Sequence, residues 1–508
     1  MTTYLSLVDD FIQQLLRDQD AEPLQDTLDE LQQRLRKPLR LAVTGAVSAG
    51  KSTLVNSLIG RRLGSTGEGE VTTFTTVFQY ADSPDQERVQ VRHNGSPGTE
   101  IYGLADLATL EDLDDGNGDP VVAFVHHPLL ERLTVIDTPG LYSSSAGVSD
   151  RTRRLVAERT RRSAAGAGAV VHLSRDLPGR KLDLQLLDEF RSLFGLEVRR
   201  AVTNTLFVLS GVDGHWQYNW LQAVLGLRHD PGGPLELGHS LLTRDASIRS
   251  ALHARVWDAV PVVALLAETV RTTDLVDARL CSEAKTLAAA VCLDDVLLDQ
   301  SDFLEFDLPG IDRTRREELW TRLDSYGLFV LADAGSKEAE PEMLSNQLLA
   351  ASGIQVLEDV ISRLFRGRDE LIVADDVMSQ LEREITSSAA LLGRDRTRRL
   401  RDRVDDLRMD KRGLGLRQLR ALRIALDEKI KIPDERRSEL RALFGENALP
   451  ARLQLADTSS SSEILAHVRR QRAWWAAVAA VVPDSAERRW LANTVVTTYE
   501  EMADAFLA

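Results

Sequence analysis

A chain of 508 residues with 43% hydrophobic and 28% charged side chains has the apolar content for two or three packed domains, which excludes the disordered and collagenous classes. Its formal net charge of −16 argues against a nucleic-acid partner, because neutralising a phosphate backbone needs Lys and Arg clustered over a large face. Two cysteines, Cys281 and Cys292, lie in apolar helical context and read as small buried hydrophobes in a reducing compartment, not as a disulfide or metal pair.

Residues 1–37 make a helical segment. Apolar side chains at Leu7, Val8, Phe11, Ile12, Leu15 and Leu16, then Leu24, Leu28, Leu31 and Leu35, recur at three-to-four spacing, and Pro23 separates two helices. Asp9 and Asp10 stand where a secretory signal would need positive charge, so the expected location is the cytoplasm. Residues 38–270 follow another grammar: LRLAVT, TTVFQY, VQVRH, VVAFVHH, LTVID, AVVHL, TLFVLS and AVPVV are short β-rich runs alternating with helical stretches, the pattern of an α/β sheet domain. Residues 271–508 read as all helical. Leu357, Val360, Ile361, Leu364 and Phe365 show the period, Ser352 with Gln355 reads as a capping box, and 336–343 and 457–462 are polar loops. The longest apolar run, Trp474 to Val482, is far short of the roughly 20 residues that span a bilayer, so a membrane would be met only at its surface.

The chemistry is set by Gly45-Ala46-Val47-Ser48-Ala49-Gly50-Lys51-Ser52, a G-x-x-x-x-G-K-[ST] loop with a predicted strand before it and a predicted helix after it. In such a loop the backbone N–H groups of Gly45 to Gly50 curl round phosphates and the helix N-terminus, with Thr53 in its first turn, adds its positive end. Lys51 pairs with the terminal phosphates, and Ser52 offers a hydroxyl to Mg²⁺.

Three further segments at strand ends narrow the ligand to a guanine nucleotide. Leu133-Thr134-Val135-Ile136 leads into Asp137-Thr138-Pro139-Gly140, a D-x-x-G element whose Asp serves Mg²⁺ and whose Gly140 amide senses a γ-phosphate. Between the two motifs lie four competing threonines in Val71-Thr72-Thr73-Phe74-Thr75-Thr76. Thr72 is the candidate Mg²⁺ ligand because it precedes the strand TTVFQY, where a mobile switch belongs. The strand Thr205 to Leu209 ends in Ser210-Gly211-Val212-Asp213, where N-K-x-D or T-K-x-D would read guanine. Asp213 can accept from two guanine N–H donors that adenine lacks, although Gly211 replaces the Lys that packs along the base.

Together these segments resemble the dynamin superfamily, in particular the bacterial dynamin-like proteins of the actinobacterial isoniazid-inducible type. The resemblance rests on Ser48-Ala49-Gly50-Lys51-Ser52-Thr53, on the run V-T-T-F-T-T-V-F-Q-Y, on AVVHLSRD around Val171, and on a short helical segment before and a long one after. It is specific over about residues 36 to 270. It implies a P-loop GTPase with a dynamin-type α/β G domain, a mixed, mostly parallel sheet, followed by an all-α stalk. By the same resemblance Ser48, Lys51, Ser52 and Thr72 take catalytic and Mg²⁺ positions, and Asp137, Gly140, Ser210 and Asp213 take switch II and base-side positions. It also implies Mg²⁺ as cofactor, GTP as substrate, GDP as product, and G domains that pair with one another while a moving stalk remodels membrane. One departure stands out. Val47 occupies the place of the Gln that positions the attacking water, so slow hydrolysis is expected.

For membrane contact the stalk offers Arg394, Arg396, Arg398, Arg399, Arg401 and Arg403 with Lys411 and Arg412, and the run from Trp474-Trp475 to Val482. Asp395, Asp402, Asp405 and Asp406 interleave with the arginines, which reads first as a solvated face with internal ion pairs. The two functional expectations are a mechanochemical GTPase peripheral to the inner face of an anionic membrane, and a soluble GTP-dependent switch or scaffold whose helical region binds a protein.

Overall fold

A computed structural model describes residues 3–63, 75–92, 99–107, 120–140, 167–176, 202–224, 233–244, 248, 252, 255–290, 297, 299–366, 368–426, 432–445, 449–481 and 486–507. The chain divides into two compact units: residues 40–198 with 205–360, and residues 1–39 with 199–204 and 361–508.

The first unit is built on a nine-stranded sheet in the order β4-β3-β5-β2-β6-β1-β7-β8-β9. The strands are β1 (Leu39–Gly45), β2 (Thr76–Tyr80), β3 (Arg88–Arg92), β4 (Thr99–Tyr102), β5 (Val121–Val125), β6 (Leu133–Asp137), β7 (Ala169–Ser174), β8 (Thr205–Leu209) and β9 (Asp258–Pro261). β1, β7, β8 and β9 run parallel, with Val43 opposite Val171 and Val171 opposite Leu206, while β2 is antiparallel to β6 and β3 to β4 and β5. This is the mixed, mostly parallel sheet that the sequence implied. Each of the eight predicted runs is a strand, and β4 is the addition.

Burial follows position in the sheet. β6, β7 and β8 are buried at every residue, as strands covered on both faces must be, and β5 alternates. The helices that follow β8 extend the core beyond the last strand. Trp216, Leu280, Phe303, Leu319, Tyr326 and Leu348 belong to one buried cluster with Phe207 of β8. Trp216 meets Tyr326 edge-on with ring centroids 5.3 Å apart, and Arg315 bridges to the buried Glu283 at 2.8 Å. Near the end of this unit Ser352 closes the helix Pro341–Ser352, Gly353 turns left-handed at φ 71°, and Ile354 N–H donates to Ser352 Oγ at 3.2 Å. The predicted reciprocal bond from Gln355 is absent among the described hydrogen bonds, and Gln355 is exposed.

The second unit is helical. α1 (Tyr4–Leu16) and α2 (Gln25–Leu35) are joined by a 3-10 turn that contains Pro23, and they pack on the helix Asp369–Ser387. Several arginines of the helix Arg394–Met409 pair outside their own helix. Arg399 reaches Asp20 at 2.8 Å, Arg396 reaches the same carboxylate at 3.6 Å, and Arg403 pairs with Asp18. Internal pairing with Asp395, Asp402, Asp405 or Asp406 is therefore corrected for these three side chains: the 3-10 turn presents both acids to the same helix face. Trp475 is buried and donates to Glu439 at 3.1 Å, Tyr499 donates to the same oxygen at 2.8 Å, and Arg436 lies 4.0 Å from the Trp474 ring centroid. No described helix is long and apolar enough to cross a membrane.

Candidate functional site

β1, β6, β7 and β8 bring their C-terminal ends together, and the candidate residues sit there, at the crevice where a doubly wound sheet places its ligand. β1 ends on Gly45, φ 153°, where any Cβ would run into the Leu173 carbonyl of β7, so the chain can leave the sheet at this point only without a side chain. The loop then uses left-handed backbone at Ser48 (φ 59°) and Gly50 (φ 86°) before α3 (Lys51–Ile59) begins, and Ala49 N–H closes a turn on Ala46 O at 3.2 Å. Ser48 is exposed, Ala49 buried, and Thr53 half-buried in the first turn of α3. The curled loop and the N-terminus of α3 thus face the same crevice.

Lys51 is buried and gives a 2.9 Å hydrogen bond from Nζ to Ala46 O. Burial lowers its pKa, and the nearby Asp137 carboxylate opposes that shift. Ser52 donates from Oγ to Asp137 Oδ2 at 2.7 Å, while the buried Asp137 Oδ1 has no hydrogen-bond partner among the described residues. Burial pushes the Asp137 carboxyl up to about 6 against the pull of Lys51 and the Ser52 hydroxyl. Thr138 anchors the next residue to β1, its N–H at 3.3 Å and its hydroxyl at 2.8 Å from Val43 O. The chain then brings Gly140 onto the P-loop so closely that a Cβ would lie 2.7 Å from Val47 Cα and 2.9 Å from Val47 N.

On the other flank, Ser210 links three elements. Its N–H donates to Ser174 O at 2.9 Å, and its hydroxyl donates to Ala49 O of the P-loop at 2.7 Å. Asp213 lies half-buried in the first turn of the helix Val212–Val224, where Oδ1 accepts from Gly214 N–H at 3.0 Å. Burial raises its pKa, Asp324 adds to this, and Gly214 N–H and Arg175 oppose it. The structure therefore brings Gly45, Ser48, Ala49, Gly50, Lys51, Ser52, Thr53, Asp137, Gly140 and Ser210 round one crevice, with Asp213 just beyond Ser210. Thr72 lies outside the described residues.

Two partners were not foreseen. His172 of β7 is buried and hydrogen-bonds through Nδ1 to Thr44 Oγ1 at 3.1 Å, directly behind Gly45, and burial drives its pKa down to about 3, so it is neutral. The signal was there, since His172 is the one ionisable side chain in the otherwise apolar AVVHL run. Asn56 of α3 donates to the buried Glu268 at 2.7 Å and accepts from Leu63 N–H at 2.9 Å, which fixes α3 to the helix Ala264–Thr272; nothing in the spacing announced that pair.

Residues 41–178 match the family model described as Dynamin family. The isoniazid-induced protein IniC of Mycobacterium tuberculosis is 27% identical over 457 residues, which cover 86% of this chain and 84% of that one. Dynamin-like protein 2 of Campylobacter jejuni is 35% identical over 118 residues, 23% of this chain and 19% of its own length. A solved chain from work on an oligomerised bacterial dynamin pair that senses and tethers membranes aligns over 99% of this chain and 75% of its own, with 14% identity and a TM-score of 0.30.

Proposed function

We propose that this chain, whose residues 41–178 match the dynamin family model and which is 27% identical to IniC over 457 residues, is a dynamin-like GTPase that binds GTP with Mg²⁺, hydrolyses it to GDP and phosphate, and couples the cycle to movement of its helical region at a membrane surface. The observation that supports the nucleotide reading is Asp137, whose buried Oδ1 is unpartnered among the described residues beside the Ser52 hydroxyl at the mouth of the P-loop. A buried carboxylate oxygen without a donor suits a hard cation, and Mg²⁺ commonly takes one or two protein oxygens together with phosphates and water. Ser52 and Asp137 would hold the ion, with Thr72 of the switch, and it would neutralise charge on the β- and γ-phosphates.

Each remaining role belongs to the chain itself. Lys51 exchanges the Ala46 carbonyl for phosphate oxygens, the amides from Ser48 to Ser52 line the phosphates, and Gly140 N–H meets the γ-phosphate. Ser210 holds the base-side loop to Ala49, and Asp213 accepts from the two guanine N–H donors. Val47 has no group to orient a water, so turnover by an isolated molecule is slow, and pairing of two G domains supplies what one lacks. The test is calorimetric binding of GTP and ATP with Mg²⁺ and with EDTA, followed by phosphate release across enzyme concentration. GTP bound at least about a hundredfold tighter than ATP is the expected result; equal affinities would end the guanine reading.

A second reading has its own observation. Arg396, Arg399 and Arg403 are engaged by Asp18 and Asp20, and Trp475 is buried on Glu439, so much of the candidate lipid-contacting set is used inside the helical unit. That favours a GTP-dependent switch whose helices bind a protein. Sedimentation with anionic liposomes in the presence of a non-hydrolysable GTP analogue separates the two: pelleting with the vesicles supports membrane coupling, and a protein left in the supernatant supports the switch.

A further inference from the structure

The base-side loop lacks the lysine that would lie along a guanine ring, and the reason is steric. A Cβ at Gly211 would fall 2.7 Å from the Arg175 carbonyl oxygen, 3.0 Å from Arg175 Cβ and 3.1 Å from Arg175 Cα. The backbone just past β7 fills the space, so a side chain could start from position 211 only if that backbone moved. That backbone is held on both sides. Ser210 N–H bonds Ser174 O at 2.9 Å, and His215 Nε2 lies 3.1 Å from Arg175 O. Arg175 therefore sends its own side chain out from within about 3 Å of the place where a lysine at 211 would have begun.

Arg175 is exposed, and among the described residues it forms no ion pair. Its charge reaches the Asp213 carboxylate, which it helps to keep ionised against burial and against Asp324. Ser210, next to Gly211, is bonded to the P-loop at Ala49 O, so the same short stretch that meets Arg175 is fixed to the phosphate side of the crevice. We propose that Arg175 replaces the missing lysine as the cation that packs along the purine ring of the bound nucleotide, while Asp213 alone discriminates among purines. This rests on the guanine-nucleotide reading of the site. A guanidinium is planar and weakly hydrated, so it stacks on a ring face better than an ammonium does, and the contact is indifferent to the ring's edge substituents.

The test uses the full chain, with GDP and inosine diphosphate as probes and calorimetry as readout. Inosine keeps the ring face and the N1–H but lacks the 2-amino group that Asp213 reads. Arg175→Ala should weaken both ligands by the same factor, about three- to thirtyfold for a cation lost from an aromatic face. Arg175→Lys should recover part of that loss, and the melting temperature without nucleotide should stay at the wild-type value because the side chain is exposed. Asp213→Asn should instead collapse the preference for GDP over inosine diphosphate. If Arg175→Ala binds GDP as the wild type does while Asp213→Asn loses its preference, the Arg175 role is overturned and the guanine reading stands. If the wild type binds neither diphosphate, both are overturned.

Discussion

Replacing Asp137 with Asn should stabilise this protein in the absence of nucleotide while removing its response to Mg·GTP. Asp137 is 3% exposed, and its carboxyl titrates near 6 in the fold against an ordinary 3.8. A raised carboxyl pKa means that the folded chain prefers the protonated, neutral form. The cost of the charge is therefore absent below about pH 3.8, grows as pH rises towards 6, and is complete above it. At about 1.36 kcal/mol for each tenfold step in acidity, the gap corresponds to about 3 kcal/mol at neutral pH. Asparagine keeps the shape and the acceptor for Ser52 without the charge, so it should gain most of this amount at pH 8 and almost none at pH 4. Thermal unfolding of both proteins across that range in EDTA is the assay. Adding Mg·GTP gives the wild type about 2.7 kcal/mol at a hundred times Kd and about 4.1 at a thousand times, so the wild type overtakes the variant a little above a hundred times Kd. An Asn variant less stable at pH 8, or equally stabilised at pH 4 and pH 8, would refute the idea that an uncompensated buried charge waits there for a cation.

Gly140→Ala should drive its Cβ into the Val47 backbone, with an overpacking cost of about 1–3 kcal/mol, and should weaken GTP more than GDP in competition binding if, as proposed, its N–H meets the γ-phosphate. Ser210→Ala removes the 2.7 Å tie to Ala49 and leaves that carbonyl unpaired; a loss of about 1–2 kcal/mol, felt equally by GTP and GDP in calorimetry, is expected. Val47→Gln should raise steady-state phosphate release from dilute protein, whereas the parent's specific activity should climb with concentration. A parent activity already high and flat at every dilution would contradict the assignment of slow turnover to Val47.

The parts legible in the sequence were those whose signal is local. A P-loop needs its glycines, its Lys and its Ser within eight positions, and DTPG and SGVD follow directly on apolar runs, so these segments name themselves. β4 was missed because it is an exposed edge strand of four residues, TEIY, whose first three are exposed, with Ser96-Pro97-Gly98 just before it, so it carries no alternation to read. The contacts of Ser210 with Ala49, Thr44 with His172, and Gly211 with Arg175 join residues that meet only through the register of β1, β7 and β8. No spacing rule reaches across 128 or 161 positions. The same limit applies at a larger scale. The helices between 264 and 352 look like the rest of the helical run, yet Leu280, Phe303 and Leu348 share a buried cluster with Phe207 of the sheet.

The helical unit is assembled from residues 1–39, 199–204 and 361–508, so its first and last parts are separated by nearly all of the sheet unit's sequence. During synthesis α1 and α2 precede the sheet unit, so Val8, Phe11, Ile12 and Leu15 of α1 can meet α2 at once but not the helix Asp369–Ser387. That helix appears only after the whole sheet unit has been synthesised, a delay of roughly 15 s to a minute at about 5–20 residues per second. During that interval the sheet unit has its own core to close, while the face of α1 and α2 that packs on the helix Asp369–Ser387 stays uncovered. Production of residues 361–508 without the first 39 would leave the mirror image of that problem, an apolar groove and an arginine row whose acidic partners are absent from the tube.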